Sequence, residues 1–339
     1  MLQEGPLANG LRLTDQRLAA PPLLFGPYGS AALDVDQLTT HGANACWFHM
    51  FDAAAFEACD RHGVAACVEF KTFRADFAAN PELIPIGVDG KPIRYGPLVQ
   101  GVCLSQTAFL EQTEASLRVG VRQFQPAGIW LDYLTYAGWF EEPNPDLQES
   151  CFCPGCIAAF CTQTGIDAPT PAEILAQHAA RWAQHKCERV AAFAAHYAQI
   201  IRAALPGCVI GAYMCPWTPE EFNGALTRIF AQDYARLAPA IDVFTPLIYG
   251  TKSGRPVSWG RTFLEAAPAF VPRDRRVQLI LDALDGPDSL VETANSTVTS
   301  WGLQVFGGAA VFADPAIARV FATTVERIRA AVQLQDHAA

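Results

Sequence analysis

The sequence predicts a (β/α)8 barrel, an α/β fold in which eight parallel strands alternate with helices. Three observations support this prediction: the chain has 339 residues, 51% of them are hydrophobic, and short apolar runs alternate with amphipathic segments. A barrel can fill this length as one domain, so we expect residues 1–339 to form a single barrel domain. The runs interpreted as strands are Pro22–Tyr28, Ala43–Met50, Val64–Phe70, Gly128–Leu134, Val209–Cys215, Asp242–Tyr249, Val277–Leu284 and Gly308–Ala313.

These runs have the composition of strands that are buried on both faces of a sheet. They are short and rich in β-branched or aromatic residues, with turn-forming residues close by. The clearest helical pattern between them is Trp182–Leu205, which Pro206 and Gly207 terminate. An open doubly wound sheet is the alternative, but FGPYGS after the first strand lacks the GxGxxG spacing of a dinucleotide site. We therefore favour the closed barrel.

Two connections are much longer than the others. They comprise residues 71–101, after the third strand, and residues 133–170, after the fourth. Both follow strands, so both should lie on the carboxyl-terminal face of the barrel, where barrel active sites are built. Connections of this length usually have a function.

The composition limits the kinds of partner that the protein can bind and the cellular compartment that we expect for it. The net charge of −10 argues against nucleic acid and against an anionic membrane surface, because no basic stripe is available to neutralise phosphates. No apolar run reaches the roughly 18 residues of a membrane span, and MLQEGPLANG has no signal-peptide pattern. We expect a cytoplasmic protein that acts on a small molecule, with its oligomeric state, including a homo-oligomer, left open.

Three cysteines fall within six residues, at Cys151, Cys153 and Cys156. A C-x-x-C pair with a third thiol nearby is typical of zinc sites, whereas redox C-x-x-C pairs do not normally carry a third cysteine. Cys103 ends the other long connection and is the predicted fourth ligand, with Cys161 as the runner-up. Four thiolates leave no open position for water, so we expect a structural Zn2+ and no organic cofactor.

Acidic residues at strand ends are the candidates for catalysis. Asp132 ends an otherwise apolar strand, where an unpaired carboxylate is costly to bury. Asp282, at the end of the seventh strand, is the preferred partner. Glu69 and Glu220 are reserves, because Glu69 could instead form an ion pair with Lys71 and Glu220 could serve the first turn of a helix.

Residues with polar-tipped aromatic rings follow five of the eight strands and are typical of sugar sites, because their rings stack on pyranose faces and their polar groups bind hydroxyls. A core-capping role is the alternative. Lys252 and Arg255, after the sixth strand, could hold an anionic sugar, but we interpret them as part of a solvated loop. The predicted substrate-binding residues are Tyr28, His49, Lys71, Tyr133, Tyr213, Trp217 and Tyr249.

The cysteine pattern on a barrel resembles the zinc site of family 42 glycoside hydrolases, the bacterial β-galactosidases. GIWLDY, CFCPGCIAAFCTQTGID and QDYARLAPAIDVFTPLIYG are similar to a broader group of barrel glycosyl hydrolases related to amylase-type and family 42 enzymes. This resemblance covers most of the chain from about Gly101 onward and implies a sugar-cleaving barrel with structural zinc. Family 42 enzymes carry an Asn-Glu pair after strand four. This chain has Leu131-Asp132 there, closer to the amylase-type pattern, so the family 42 acid cannot be transferred.

The predicted function is therefore a glycosidase that cleaves O-glycosidic bonds with a pair of carboxylates. Asp132 is expected to act as the nucleophile or its electrostatic equivalent in a retaining reaction. Two alternatives are kept: a sugar lyase or isomerase that uses Lys71 as a base or Schiff-base residue, and a non-catalytic carbohydrate-binding barrel.

Overall fold

Eight parallel strands close into a barrel in this computed structural model, which describes residues 22–29, 35–94 and 101–338. Each strand pairs with its sequence neighbours, and the first pairs with the last, so the predicted closed barrel is confirmed. The strands are β1 (Leu24–Tyr28), β2 (Ala45–Phe48), β3 (Ala65–Lys71), β4 (Gly128–Asp132), β5 (Val209–Met214), β6 (Val243–Ile248), β7 (two segments, Arg276–Val277 and Leu279–Asp282) and β8 (Gly302–Phe306).

Helices surround the barrel and follow its strands. The predicted helix at Trp182–Leu205 corresponds to α6, the longest of them, which begins at Ala179 and ends at Ala204. None of the helices in the described ranges is both long enough and apolar enough to cross a membrane. The helices are α1 (Val35–Thr40), α2 (Ala53–His62), α3 (Thr107–Phe124), α4 (Pro154–Thr164), α5 (Pro171–Gln177), α6 (Ala179–Ala204), α7 (Glu221–Arg228), α8 (Tyr234–Leu237), α9 (Trp259–Ala266), α10 (Gly286–Ala294) and α11 (Pro315–Ala338).

Side chains alternate between the barrel interior and the layer of helices, as strand geometry requires. On β4, Trp130 belongs to the interior cluster, whereas Ile129 and Leu131 pack in the larger core shared with the helices. Gly211 on β5 makes room for the indole of Trp130, because a Cβ at that position would lie 2.3 Å from the ring. This alternation directs Asp132, two residues after Trp130, toward the mouth of the barrel.

The eighth strand was predicted in the wrong place. Ala309–Ala313, inside the predicted strand at Gly308–Ala313, is a 3-10 helix, and β8 is the preceding segment, Gly302–Phe306. A search for apolar runs misses β8 because a polar residue, Gln304, lies at the centre of the strand, where it is fully buried. Its side chain is satisfied by the hydroxyl of Tyr213 at 2.8 Å and by Gln278 at 2.7 Å. A buried polar network therefore replaces an apolar residue in the barrel interior.

The connection after β4 is fixed to α6 by a buried ion pair. The ammonium of Lys186 is fully buried and lies 2.8 Å from the carboxylate of Glu149, which also binds Arg228 at 3.0 Å. Lys186 donates a second hydrogen bond to the carbonyl of Arg228. These contacts hold the chain just before Cys151, where the predicted metal-binding cysteines begin.

We predict that Glu149→Gln destabilises the protein by about 3 kcal/mol, because the buried Lys186 loses its charged partner. Urea unfolding of this variant should be compared with that of Glu326→Gln, which changes an exposed glutamate on α11. A loss in Glu149→Gln no larger than that of the control would contradict this role.

Candidate functional site

A pocket of about 460 Å³ opens at the carboxyl ends of the strands. It brings together most of the residues proposed from the sequence, together with several that were not proposed. The predicted residues that line it are Tyr28, His49, Glu69, Lys71, Asp132, Tyr133, Tyr213 and Tyr249. The additional lining residues include Arg74, Trp139, Phe140, Glu141, Phe230, Gln232, Lys252 and Phe306.

Glu69 and Asp132 form a hydrogen-bonded carboxyl pair at the base of this pocket. The β3–β4 register produces this proximity, because it sets Lys71 opposite Asp132 and leaves Glu69 two residues earlier on the same face. Glu69 is almost wholly buried. One of its oxygens lies 2.5 Å from Nδ1 of His49, and the other lies 3.3 Å from Nζ of Lys71.

The two carboxyl groups have opposite pKa shifts. Burial opposes ionisation of Glu69, but hydrogen bonds from His49 and Asp132 and the charge of Lys71 outweigh it and lower the pKa of Glu69 to about 2. Burial, followed by the negative charge of Glu69, raises the pKa of Asp132 well above its usual range. These opposite shifts favour the ionised form of Glu69 and place the shared proton of the pair on Asp132, which can donate it to the carboxylate of Glu69.

The backbone around Asp132 is fixed by its neighbours. The carbonyl of Asp132 accepts hydrogen bonds from the amide of Thr72 at 2.9 Å and from its hydroxyl at 2.7 Å. Tyr133, the next residue, has a φ of 53°, in the left-handed region that non-glycine residues rarely occupy. Such strain is concentrated at functional sites, and here it turns the chain sharply at the end of β4.

Glu141 is a third carboxyl group in the pocket and was missed by the sequence analysis. Burial raises the pKa of Glu141 above its usual range, and the positive charge of Lys252, 3.6 Å away, offsets only part of that rise. Glu141 lies in the connection after β4, which has no regular periodicity, so no strand or helix pattern marks its direction. The sequence feature that could have identified Glu141 is its position directly after two aromatic residues, Trp139 and Phe140, in a long connection at the carboxyl-terminal face of the barrel.

Lys252 corrects the interpretation of the connection after β6 as a solvated loop. Its ammonium lies 2.9 Å from Asp282 and within 4.6 Å of the ring centroids of Tyr249 and Phe306, at the wall of the pocket. Arg255, by contrast, lies outside the lining and pairs with Glu221 at 2.6 Å. The aromatic rings, buried inside the barrel mouth, keep Lys252 there through cation–π contacts.

Three predicted residues do not line the pocket. Asp282 is buried beside it, where it pairs with Lys252 and accepts a hydrogen bond from the amide of Leu284. Glu220 is exposed at the start of α7. Trp217 is buried and packs edge-on against Phe230, which does line the pocket.

The four predicted cysteines converge at a second site beside the barrel mouth. The sulfur atoms of Cys103, Cys151, Cys153 and Cys156 all lie within 4.8 Å of one another. Cys103 is 3.5 Å from Cys151 and from Cys153, and 3.7 Å from Cys156. These separations exceed the roughly 2.05 Å of a disulfide and approach the S–S separation of about 3.8 Å that a tetrahedron with 2.3 Å zinc–sulfur bonds requires. The cluster could hold a metal ion. Cys161, the runner-up, is not among these four residues.

Polar groups surround these sulfur atoms. The amide of Ile86 donates to Cys151 at 3.2 Å, and the amide of Cys156 donates to Cys153 at 3.4 Å. The guanidinium of Arg189 lies 3.5 Å from the sulfur of Cys156 and donates to the carbonyl of Leu104 at 2.6 Å. Donors and a cation of this kind stabilise thiolates, so the surroundings suit a metal-bound cluster.

We predict that Glu69→Gln lowers the pKa of Asp132, because the negative charge that disfavours ionisation of Asp132 is removed. The remaining burial should keep that pKa above the ordinary range of a carboxyl group. Carbon-13 NMR titration of the Asp132 carboxyl in wild type and variant measures the shift. An unchanged or raised pKa in the variant would contradict the proposed proton location.

The sequence matches no protein-family model, and no curated protein matches it. Several solved structures are similar to this one. The glycoside hydrolase domain of PgaB (BpsB) from Bordetella bronchiseptica superimposes with a TM-score of 0.67 and 12% sequence identity. The match covers 90% of this chain and 99% of that domain. The β-galactosidase from Rahnella sp. R3 has a TM-score of 0.62 and 13% identity over 92% of this chain. The GH42 β-galactosidase Gan42B from G. stearothermophilus has a TM-score of 0.61 and 13% identity over 91% of this chain. This chain spans 56% and 58% of those two β-galactosidases. At these identities the similarity establishes the shared barrel fold.

Proposed function

We propose that this protein is a glycoside hydrolase whose reaction takes place in the pocket at the carboxyl ends of the strands. The observation that carries the proposal is the hydrogen-bonded pair of Asp132 and Glu69, which shares an aromatic-lined pocket with a third carboxyl group, Glu141. Glycoside hydrolysis needs a proton donor and a second carboxylate at the scissile bond. The similar barrels include a protein described as a glycoside hydrolase domain and two β-galactosidases, which supports this choice of chemistry.

Asp132 is proposed to donate the proton to the leaving oxygen. Burial and the charge of Glu69 raise the pKa of Asp132 well above its usual range, and a general acid must keep its proton in this way. Glu69 remains ionised, stabilised by Lys71 and by His49. This role differs from the nucleophilic role expected from the sequence, because the sequence does not reveal that Glu69 contacts Asp132.

Glu141 is proposed as the second carboxyl group. Asp132 and Glu69 are in hydrogen-bond contact and so act as one unit, closer than the roughly 5–5.5 Å that separates the two carboxyl groups of a retaining enzyme. A nucleophile or a base must be ionised, and Lys252, 3.6 Å from Glu141, supports that form by offsetting part of the burial-driven rise in the pKa of Glu141. Retention of configuration remains a prediction, and NMR of the first anomer released tests it.

The other residues that line the pocket are suited to binding a sugar. The rings of Tyr28, Tyr213 and Tyr249 belong to the barrel-mouth wall, and Trp139 and Phe140 come from the connection after β4. Aromatic faces of this kind pack on the C–H faces of pyranose rings, while Gln232 offers a polar group. The substrate proposed is therefore a carbohydrate glycoside.

The lyase or isomerase alternative is weaker. A Schiff-base lysine must be a neutral amine to attack a carbonyl. The Nζ atom of Lys71 pairs with Glu69 at 3.3 Å and donates to the carbonyl of His49 at 3.0 Å, so two contacts already engage the atom that would have to attack the carbonyl of a substrate. The non-catalytic binding barrel remains an outcome that the activity measurements below would reveal.

We also propose that the four-cysteine cluster binds a structural zinc ion. Four sulfur ligands complete a tetrahedral site with no position for water, so the metal would supply no reaction chemistry. Cys103 follows the connection after β3, and the other three cysteines belong to the connection after β4. The bound metal would therefore join the two long connections of the active face.

We predict that Asp132→Asn lowers kcat/KM by about 100- to 10,000-fold on an alkyl glycoside, because the departing alkoxide then lacks a proton donor. A smaller loss is expected with the corresponding 4-nitrophenyl glycoside, whose leaving group needs little protonation. The sugar is first chosen by screening aryl glycosides with the wild-type enzyme.

Glu141→Gln should reduce turnover with both leaving groups, whereas Glu220→Gln, at an exposed position outside the pocket, should stay within about twofold of wild type. Full activity of Asp132→Asn on the alkyl glycoside would contradict the proposal. Sugar binding without turnover by the wild type would favour the binding-barrel alternative.

We predict one zinc ion per chain in the wild type and loss of that ion in Cys153→Ser. Cys161→Ser is the matched control, because Cys161 lies on α4 outside the cluster and should leave the metal content unchanged. Elemental analysis after dialysis of protein expressed with added zinc measures this. A full complement of zinc in Cys153→Ser, or none in the wild type, would contradict the proposed site.

A further inference from the structure

Arg74 is a cation of the pocket wall that has no carboxylate partner among the described residues. The other two pocket cations are paired, Lys71 with Glu69 and Lys252 with both Asp282 and Glu141. The guanidinium of Arg74 lies over the ring of Tyr133, 5.3 Å from its centroid, and the Arg74 residue is exposed. Within the part of the chain that the structure describes, its hydrogen-bond donors are therefore available to a ligand.

The backbone that carries Arg74 is firmly held. Phe73 is fully buried, its ring packs against Phe193, and its carbonyl accepts a hydrogen bond from Val102 at 2.7 Å. Thr72, on the other side of Phe73, binds the carbonyl of Asp132 through both its amide and its hydroxyl. The position of Arg74 is therefore tied to that of Asp132.

Stacking on Tyr133 further restricts the guanidinium. Tyr133 directly follows Asp132 and has the left-handed backbone described above, so its ring is anchored to the end of β4. A guanidinium held against an aromatic face loses less freedom on binding, and its planar fork matches a carboxylate with two parallel hydrogen bonds. The arrangement is a preorganised receptor for a planar anion at the rim of the pocket.

We propose that Arg74 binds the carboxylate of a uronic acid residue, so that the substrate is a glycuronoside and not a neutral glycoside. This inference rests on the proposed hydrolase function, because it assigns the sugar that occupies the same pocket. The carboxylates of the pocket do not repel such a sugar strongly, since Glu69 and Glu141 are each paired with a lysine and Asp132 is protonated. Arg74 then adds the selective contact.

Matched pairs of 4-nitrophenyl glycosides test the substrate class. Each hexoside is compared with its uronide, glucoside with glucuronide and galactoside with galacturonide, in both anomeric forms. The uronide of the productive pair should have a kcat/KM at least tenfold above that of its neutral partner. A neutral sugar bearing a 4-carboxyphenyl aglycone is included, and a preference for that compound over the uronides would overturn the assignment of the anion to the sugar ring.

Substitutions of Arg74 test whether this residue binds the carboxylate of the sugar. Arg74→Ala should lower kcat/KM for the uronide by about 10- to 100-fold, mainly through KM, and change the neutral glycoside by less than about threefold. Arg74→Lys should recover only part of the loss, because an ammonium lacks the planar fork. Arg181→Ala, at an exposed position on α6, is the control. Equal losses on both substrates in Arg74→Ala would overturn the inference.

A binding measurement separates this inference from the hydrolase proposal. Calorimetry on Asp132→Asn protein compares glucuronate and galacturonate with glucose and galactose, with and without Arg74→Ala. Tighter binding of the uronates that depends on Arg74 supports the inference even if no glycoside is cleaved. Hydrolysis of neutral glycosides in preference to uronides would leave the hydrolase proposal standing and overturn the role of Arg74.

Discussion

The hydrogen bond between Glu69 and Asp132 is the interaction on which the account of this pocket depends. It follows from the parallel register of β3 and β4, which sets Lys71 opposite Asp132 and leaves Glu69 one inward-facing position earlier on β3. Two carboxyl groups in contact cannot both be ionised at low cost, so one must keep its proton. Lys71 and His49 both contact Glu69, and these contacts assign the negative charge to Glu69 and the proton to Asp132.

Electrostatic pairing of the same kind orders the opposite wall. Lys252 lies between Asp282 and Glu141 and rests on two aromatic rings, so a residue from the connection after β6 is fixed against one from the connection after β4. Asp282 thereby serves as a positioning group for the lysine. The lysines of the pocket are neutralised by carboxylates, whereas Arg74 has no such partner among the residues that the structure describes.

The connection after β4 carries both Glu141 and most of the cysteine cluster. It is restrained at Asp132 by Thr72, before Cys151 by the buried pair of Glu149 and Lys186, and then at the cysteine cluster. A long irregular segment ordinarily fluctuates, and each restraint reduces the conformational freedom available to Glu141. The cysteine cluster can therefore matter for the reaction without touching the substrate.

Acids at strand ends and cysteines with metal-ligand spacing were predictable from the sequence, whereas the other residues placed by irregular backbone were not. Asp132, Glu69 and Cys103 were found because strand ends and long connections of a parallel barrel share one face. Glu141, Arg74 and the pocket position of Lys252 were missed because no periodicity governs the direction of a side chain in a loop. Strand β8 was misplaced because Gln304 interrupts its apolar pattern with a side chain whose buried partners come from β5 and β7.

The pH dependence of kcat/KM, measured in wild type and in Glu69→Gln, tests the shared proton most directly. The alkaline limb of the profile reports loss of the proton from Asp132, so in the wild type it should lie well above the value of about 4 typical of aspartate. Removing the charge of Glu69 should move that limb to lower pH. An alkaline limb at the same pH in both proteins would contradict the claim that Asp132 is the proton donor under the control of Glu69.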